Sequence, residues 1–308
     1  MNRGKARLGS LGAVLASGLV VACAAPVSPP APELGVKNLS WSEIAARPAP
    51  PADARIAYGK DPLQFGELRL PKGAGPHPVA IVIHGGCWLA QFDIAHISHL
   101  AKALTDLGIA TWALEYRRVG HETGGWPNTF LDVAQGADHL RELAKTYPLD
   151  LKRVIAMGHS AGGQLSLWLA ARTGLPVGSA LYRKNPLLLS GVVPLAPITD
   201  MAAYASVPNC GEAVKPLMGG TQAQQPSRYA QVSPLSRLPL GLRQRIVHGM
   251  DDRIVDIGMV RAYLAEAQNT KDDITLTAVD GAGHFDLITQ DSLGWPAIKA
   301  AVTELLRL

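Results

Sequence analysis

Two hydrophobic rhythms alternate along the chain. Short apolar runs fall at Val79–His84, Ile109–Glu115, Arg153–Met157, Gly191–Leu195, Arg245–His248 and Ile274–Val279. Most are uninterrupted, the pattern of strands buried on both faces of a parallel sheet. Two earlier runs, Arg55–Tyr58 and Gln64–Leu70, are placed to form a hairpin. Between the runs lie segments with helical periodicity: Ile94–Leu107, Phe130–Tyr147, Ala161–Thr173, Ile257–Gln268 and Trp295–Leu306. Gly108 and Gly174 stand where helix C-terminal caps belong, and Thr129-x-x-Asp132 has the form of a capping box. Strand–helix alternation of this kind predicts an α/β architecture, a doubly wound, mostly parallel sheet with helices on both faces. Residues 175–190 and 199–243 exceed ordinary connections, and 199–243 is expected to be a small lid.

The N-terminus follows a different logic. Arg3, Lys5 and Arg7 precede an apolar run from Leu8 to Val21, too short to span a bilayer. Val20-Val21-Ala22-Cys23 resembles the lipobox of bacterial lipoproteins, which makes Cys23 the expected lipidation site and 1–22 the signal peptide. Cleavage after Ala22-Cys23-Ala24, an A-x-A site, is the alternative and leaves a soluble periplasmic protein. Ala24 after the Cys points to the periplasmic face of the outer membrane, with the membrane engaged through the lipid. Residues 24–52 hold seven of the 23 prolines, so 23–53 reads as a tether interrupted by a short helix opened by the capping box Ser40–Glu43. Residues 54–308 are then the folded domain.

Charge adds less than it first suggests. The formal +4 counts 29 basic against 25 acidic residues; removing Arg3, Lys5 and Arg7 leaves 26 against 25. Basicity belongs to the signal, and nucleic acid is not an expected partner. Three Cys are too few for a disulfide scaffold or a Cys-rich zinc module. His96-x-x-His99 has helical spacing but lacks a third ligand nearby, and no P-loop, EF-hand or dinucleotide pattern occurs, so neither metal nor cofactor is expected.

The candidate chemistry lies at strand ends. Gly158-His159-Ser160-Ala161-Gly162 sits between a buried strand and a buried helix, the setting of a nucleophile elbow with Ser160 as nucleophile. His84-Gly85-Gly86-Cys87-Trp88 follows another strand; its Gly pair lets backbone N–H groups turn toward a developing oxyanion. Gly86, Cys87 and Ala161 are the expected donors. These motifs resemble the α/β-hydrolase superfamily, in its HGGxW-type esterase, arylformamidase and feruloyl-esterase-like branch. The resemblance spans about Ala54–Leu308. It selects Asp252 from His248-Gly-Met-Asp-Asp-Arg-Ile-Val255, with Asp251 and Asp200 as rivals, and His284 from Gly281-Ala-Gly-His-Phe285. Trp88, Trp126 and Tyr204 are candidate pocket residues. Cys87 and Cys210 both fall in loops leaving the sheet's C-terminal edge, a possible disulfide in an oxidising compartment. The implied activity is hydrolysis of a small-molecule carboxylic ester by a Ser-His-Asp triad. Arylformamidase-like amide hydrolysis, a prolyl-oligopeptidase-type peptidase and an inactive envelope lipoprotein remain alternatives, and oligomeric state is not legible.

Overall fold

The computed structural model describes Met1 and residues 38–308. The signal peptide, Cys23 and the first part of the expected tether lie outside the described residues. Eight strands form one sheet: β1 (Ala54–Ala57), β2 (Phe65–Arg69), β3 (His77–Ile83), β4 (Ala110–Leu114), β5 (Leu149–His159), β6 (Gly191–Leu195), β7 (Gln244–Gly249) and β8 (Ile274–Val279). Their order is β1-β2-β4-β3-β5-β6-β7-β8. β1 pairs antiparallel with β2, and β2 with β4; every other pairing is parallel.

Strand alternation divides the core. Val79, Ile81 and Ile83 of β3 enter one apolar cluster, while Ala80 and Val82 enter another on the opposite face. Ten helices are described: α1 (Trp41–Ala45), α2 (Ser98–Asp106), α3 (Asn128–Asp138), α4 (Leu140–Leu143), α5 (Ala161–Ala171), α6 (Met201–Tyr204), α7 (Val214–Met218), α8 (Pro226–Val232), α9 (Ile257–Asn269) and α10 (Trp295–Leu306). Residues of α3, α5 and α9 fill the first cluster; α2 and α10 fill the second. A sheet covered on both faces explains the uninterrupted apolar strands.

The chain enters β4 on one side of β3 and β5 on the other, a switch point whose crevice lies at the strands' C-terminal ends. In the β3–β5 register Ile83 stands opposite Gly158. The HGGCW loop and the Ser160 turn therefore emerge side by side.

Several local expectations differ from the structure. The helix expected over Phe130–Tyr147 starts at Asn128 and is broken into α3 and α4 at His139. Thr129 and Asp132 do not cap it: the Thr129 hydroxyl donates to Arg117 O, and the Asp132 carboxylate takes the Arg117 guanidinium. The capping box of α1 does form, with Glu43 N–H donating to Ser40 Oγ and Ser40 N–H to Glu43 Oε2. Yet residues 38–47 lie against the folded body. Asn38 and Leu39 donate backbone N–H bonds to Asp286, and Arg47 pairs with Asp291. Backbone donors buried against a carboxylate hold this stretch in place, so the part of it reaching Arg47 is not free tether. Among the described residues no helix is long and apolar enough to cross a membrane, and no cluster of metal-binding side chains occurs.

Candidate active site

Ser160 lies between the last residue of β5 and the first of α5, with φ +58° and ψ −119°. A non-glycine residue is strained there, and the surroundings must hold it. Ser160 N–H donates to Leu195 O at 2.8 Å, tying the turn to β6. Gly162 lets α5 approach the sheet: a Cβ there would collide with Ile83 O. Ala161 opens α5, so its N–H has no partner within the helix and points from the positive end of the helix dipole.

The neighbouring loop is also left-handed. Gly86, Cys87 and Trp88 have φ of +98°, +55° and +56°. At Gly86 a side chain would strike Phe92. The loop is held by Leu89 N–H to Gly86 O and Val119 N–H to Trp88 O, both at 2.9 Å. Cys87 is bonded to Cys210, with Cα atoms 5.2 Å apart, joining this loop to the 199–243 insertion. Beneath it, His84 Nδ1–H donates to Gly85 O at 2.8 Å, so its Nε2 accepts from Arg118 at 3.1 Å. Burial and the Arg118 charge push the His84 pKa down to about 3, so the ion pair here is Arg118 with Glu115.

His284 Nδ1–H donates to Asp252 Oδ2 at 2.7 Å. The other carboxylate oxygen, Oδ1, accepts Ile254 N–H at 2.8 Å and Val255 N–H at 2.9 Å. Burial raises the Asp252 pKa, but the His284 hydrogen bond and charge and these two amides outweigh it, for a net lowering. The rivals are occupied elsewhere. Asp200 caps α6 through Ala202 and Ala203 N–H, and exposed Asp251 faces Asn38.

Ser160 and His284 line one cavity of about 650 Å³, together with Gly86 and Cys87. Its apolar wall includes Trp41, Leu89, Phe92 and Phe285. Trp88, Trp126 and Tyr204 do not line it, contrary to expectation. Trp88 is fully buried, its indole N–H donating to Gln164; Tyr204 is buried beside it and donates to Ile254 O. Trp126 packs on Phe130 beneath Arg228. All three belong to or pack against the first apolar cluster.

Two further histidines, His159 and His96, connect the pieces. His159 Nε2–H donates to His284 O, and His96 Nε2–H donates to His159 Nδ1, each at 2.9 Å. The carbonyl can only accept, which fixes both tautomers. Burial holds both rings well below the usual histidine pKa, with further lowering by neighbouring histidines. Trp41 stacks on His96 at 4.9 Å between ring centroids. A His before Ser160 was visible in the motif; its partner was not, because 63 residues separate them.

The geometry has relatives. The BD-FAE family model matches residues 67–264, more than half of the chain. Among curated proteins none matches it. A truncated carbohydrate esterase from gut microbiota superposes with a TM-score of 0.70 at 22% identity, covering 84% of this chain and 99% of its own. Butyrate-bound esterase Est2 of the planctomycete Thermogutta terrifontis gives 0.68 at 18% identity, covering 83% of this chain and 94% of its own. Esterase 2 of that species, phosphoramylated by tabun, gives 0.67 at 16% identity, over 87% and 97% respectively. These likenesses show an α/β-hydrolase fold. The family match goes further: the chain belongs to the BD-FAE family of α/β-hydrolase-type esterases.

Proposed function

We propose that the protein is a serine hydrolase of carboxylic esters, with Ser160 as nucleophile, His284 as general base and acid, and Asp252 as the residue that orients His284. The observation that carries this reading is the 2.7 Å Asp252–His284 hydrogen bond beside a strained Ser160 in one cavity. With Nδ1–H given to Asp252, the ring presents Nε2 as the base. It takes the Ser160 proton as Oγ attacks the ester carbonyl. The Cys87 and Ala161 N–H groups, with Gly86, are the proposed donors to the oxyanion, where each fixed donor contributes about 3 kcal/mol. His284 then protonates the leaving alcohol, and water resolves the acyl-enzyme by the reverse proton path. An ester rather than an amide is favoured by the reported activities of the structural neighbours.

A lipid on Cys23 and residence at the periplasmic face of the outer membrane are supported by the lipobox-like sequence, and a bonded Cys87–Cys210 pair suits an oxidising compartment. Fluorophosphonate labelling with Ser160→Ala as control tests the enzyme. Labelling of the wild type alone is expected, and folded wild-type protein that stays unlabelled would refute the reading.

A further inference from the structure

The cavity holding Ser160 is walled mainly by aromatic and aliphatic groups, yet Arg253 stands on its lining. Arg253 is exposed, and among the described residues it makes no ion pair and no hydrogen bond. The other titratable residues on this lining are His96, held neutral by burial, and His284. Arg253 is therefore the one permanently charged side chain on it among the described residues.

A second, more open groove of about 430 Å³ adjoins the cavity and shares Arg253, Ile254, His284 and Phe285 with it. Asn38, Ser40 and the carboxylate of Asp251 line only this groove. An anion in the groove would meet Asp251 as well as Arg253. In the cavity it would meet Arg253 alone.

We infer that Arg253 is a specificity-determining residue, selecting esters whose body is apolar and whose far end carries a carboxylate, bound in the Ser160 cavity. This rests on the ester-hydrolase reading and adds a substrate class to it. The apolar wall takes the methylene or aryl body by burial, and the guanidinium offers the paired donors that a carboxylate accepts. An exposed charge pair is modest, so the effect is selectivity of several-fold rather than an absolute requirement.

The test compares the 4-nitrophenyl monoester of adipic acid with 4-nitrophenyl heptanoate, a neutral ester of similar length. The ratio of kcat/KM, adipate over heptanoate, is expected to fall about fivefold in Arg253→Gln and further in Arg253→Glu, and in wild type to shrink with added salt. An unchanged ratio in both variants overturns the inference. A second measurement is independent of turnover: calorimetric binding of monomethyl adipate to the Ser160→Ala protein, repeated with Arg253→Gln added. Weaker binding in the double variant supports the anion site even where hydrolysis is absent. Equal binding, or none in either protein, overturns it. Folded wild-type protein that turns over neither ester overturns the ester-hydrolase reading, whereas turnover of both with a ratio that Arg253→Gln and Arg253→Glu leave unchanged overturns the Arg253 inference alone.

Discussion

His159 Nε2 lies 2.9 Å from the carbonyl oxygen of His284, so the residue before the proposed nucleophile holds the backbone of the proposed base. One hydrogen bond thereby ties the β5–α5 turn to the loop after β8. Replacing His159 separates this positioning role from simple packing. Gln can reach the carbonyl with its amide N–H, whereas the shorter Asn cannot. His159→Asn is expected to lower kcat about tenfold with KM nearly constant, and His159→Gln to recover most of it. The downfield proton resonance of the Asp252–His284 hydrogen bond should broaden in Asn and persist in Gln. Equal kcat in the two variants would assign His159 to packing.

Asp252 makes its own prediction. Asp252→Asn keeps the shape but lets His284 adopt the wrong tautomer, so kcat is expected to fall roughly 10³–10⁴-fold. Asp251→Asn, an exposed change, should stay within a few-fold. Steady-state kinetics on an aryl acetate distinguish the two, and a reversed order would move the acid to Asp251.

The Cys87–Cys210 bond closes a loop across 123 residues of chain and reaches the loop proposed to hold the oxyanion. Cys210→Ser is expected to cost about 2–4 kcal/mol in denaturant unfolding. It should also lower kcat by more than it raises KM, because Cys87 N–H is a proposed oxyanion donor. Loss of stability with kcat intact would confine the bond to a structural role.

Acid should destabilise the fold before it protonates the carboxylates. His84, His96, His159 and His248 are buried, and each has its pKa lowered, His84 to about 3. Below the unfolded histidine value of about 6.5 the unfolded chain binds protons that the native chain refuses. Stability is then complete above about pH 6.5 and falls as pH drops, by up to about 1.4 kcal/mol per pH unit for each such group. Asp252, lowered in the fold, adds its loss only below about pH 4. Urea titrations at pH 7, 6 and 5 measure the slope, which His96→Phe should make shallower.

Trp41 extends the same reasoning to the pocket. Trp41→Ala removes a ring that both lines the cavity and covers His96. KM for esters with bulky acyl groups is expected to rise about fivefold, with acetate esters changing less. A uniform change across chain lengths would place Trp41 outside the acyl-binding wall.

The inner strands were legible because burial on both faces writes unbroken apolar runs, and β6 matches its expected bounds; the edge strand β8 matches too, through its alternation of apolar residues with Thr275 and Thr277. β5 is longer than expected because Leu149–Lys152 mixes polar side chains into a strand end near the surface. Of the candidate site, Ser160, Asp252 and His284 could be singled out because each follows a strand with a short local pattern, and the structure places Asp252 on His284 and Ser160 and His284 on one cavity. The cavity wall was not. Trp41, Phe92 and Arg253 converge from separate parts of the chain, and no local rhythm signals that meeting. The aromatic residues beside the motifs were misjudged for a related reason: a Trp next to a loop serves equally well as support beneath it, and Trp88 does so.

The disulfide has a consequence for how the cavity breathes. Cys87 and Cys210 join the HGGCW loop and the 199–243 insertion in one covalent unit, so those two parts of the wall cannot draw apart. Trp41 belongs to a five-residue helix held by stacking, one capping box and the Asp286 hydrogen bonds. Such contacts open at far lower cost than a covalent bond. The insertion that the sequence suggested as a lid is thus riveted in place. The Trp41 segment, by contrast, closes its side of the cavity through non-covalent contacts alone.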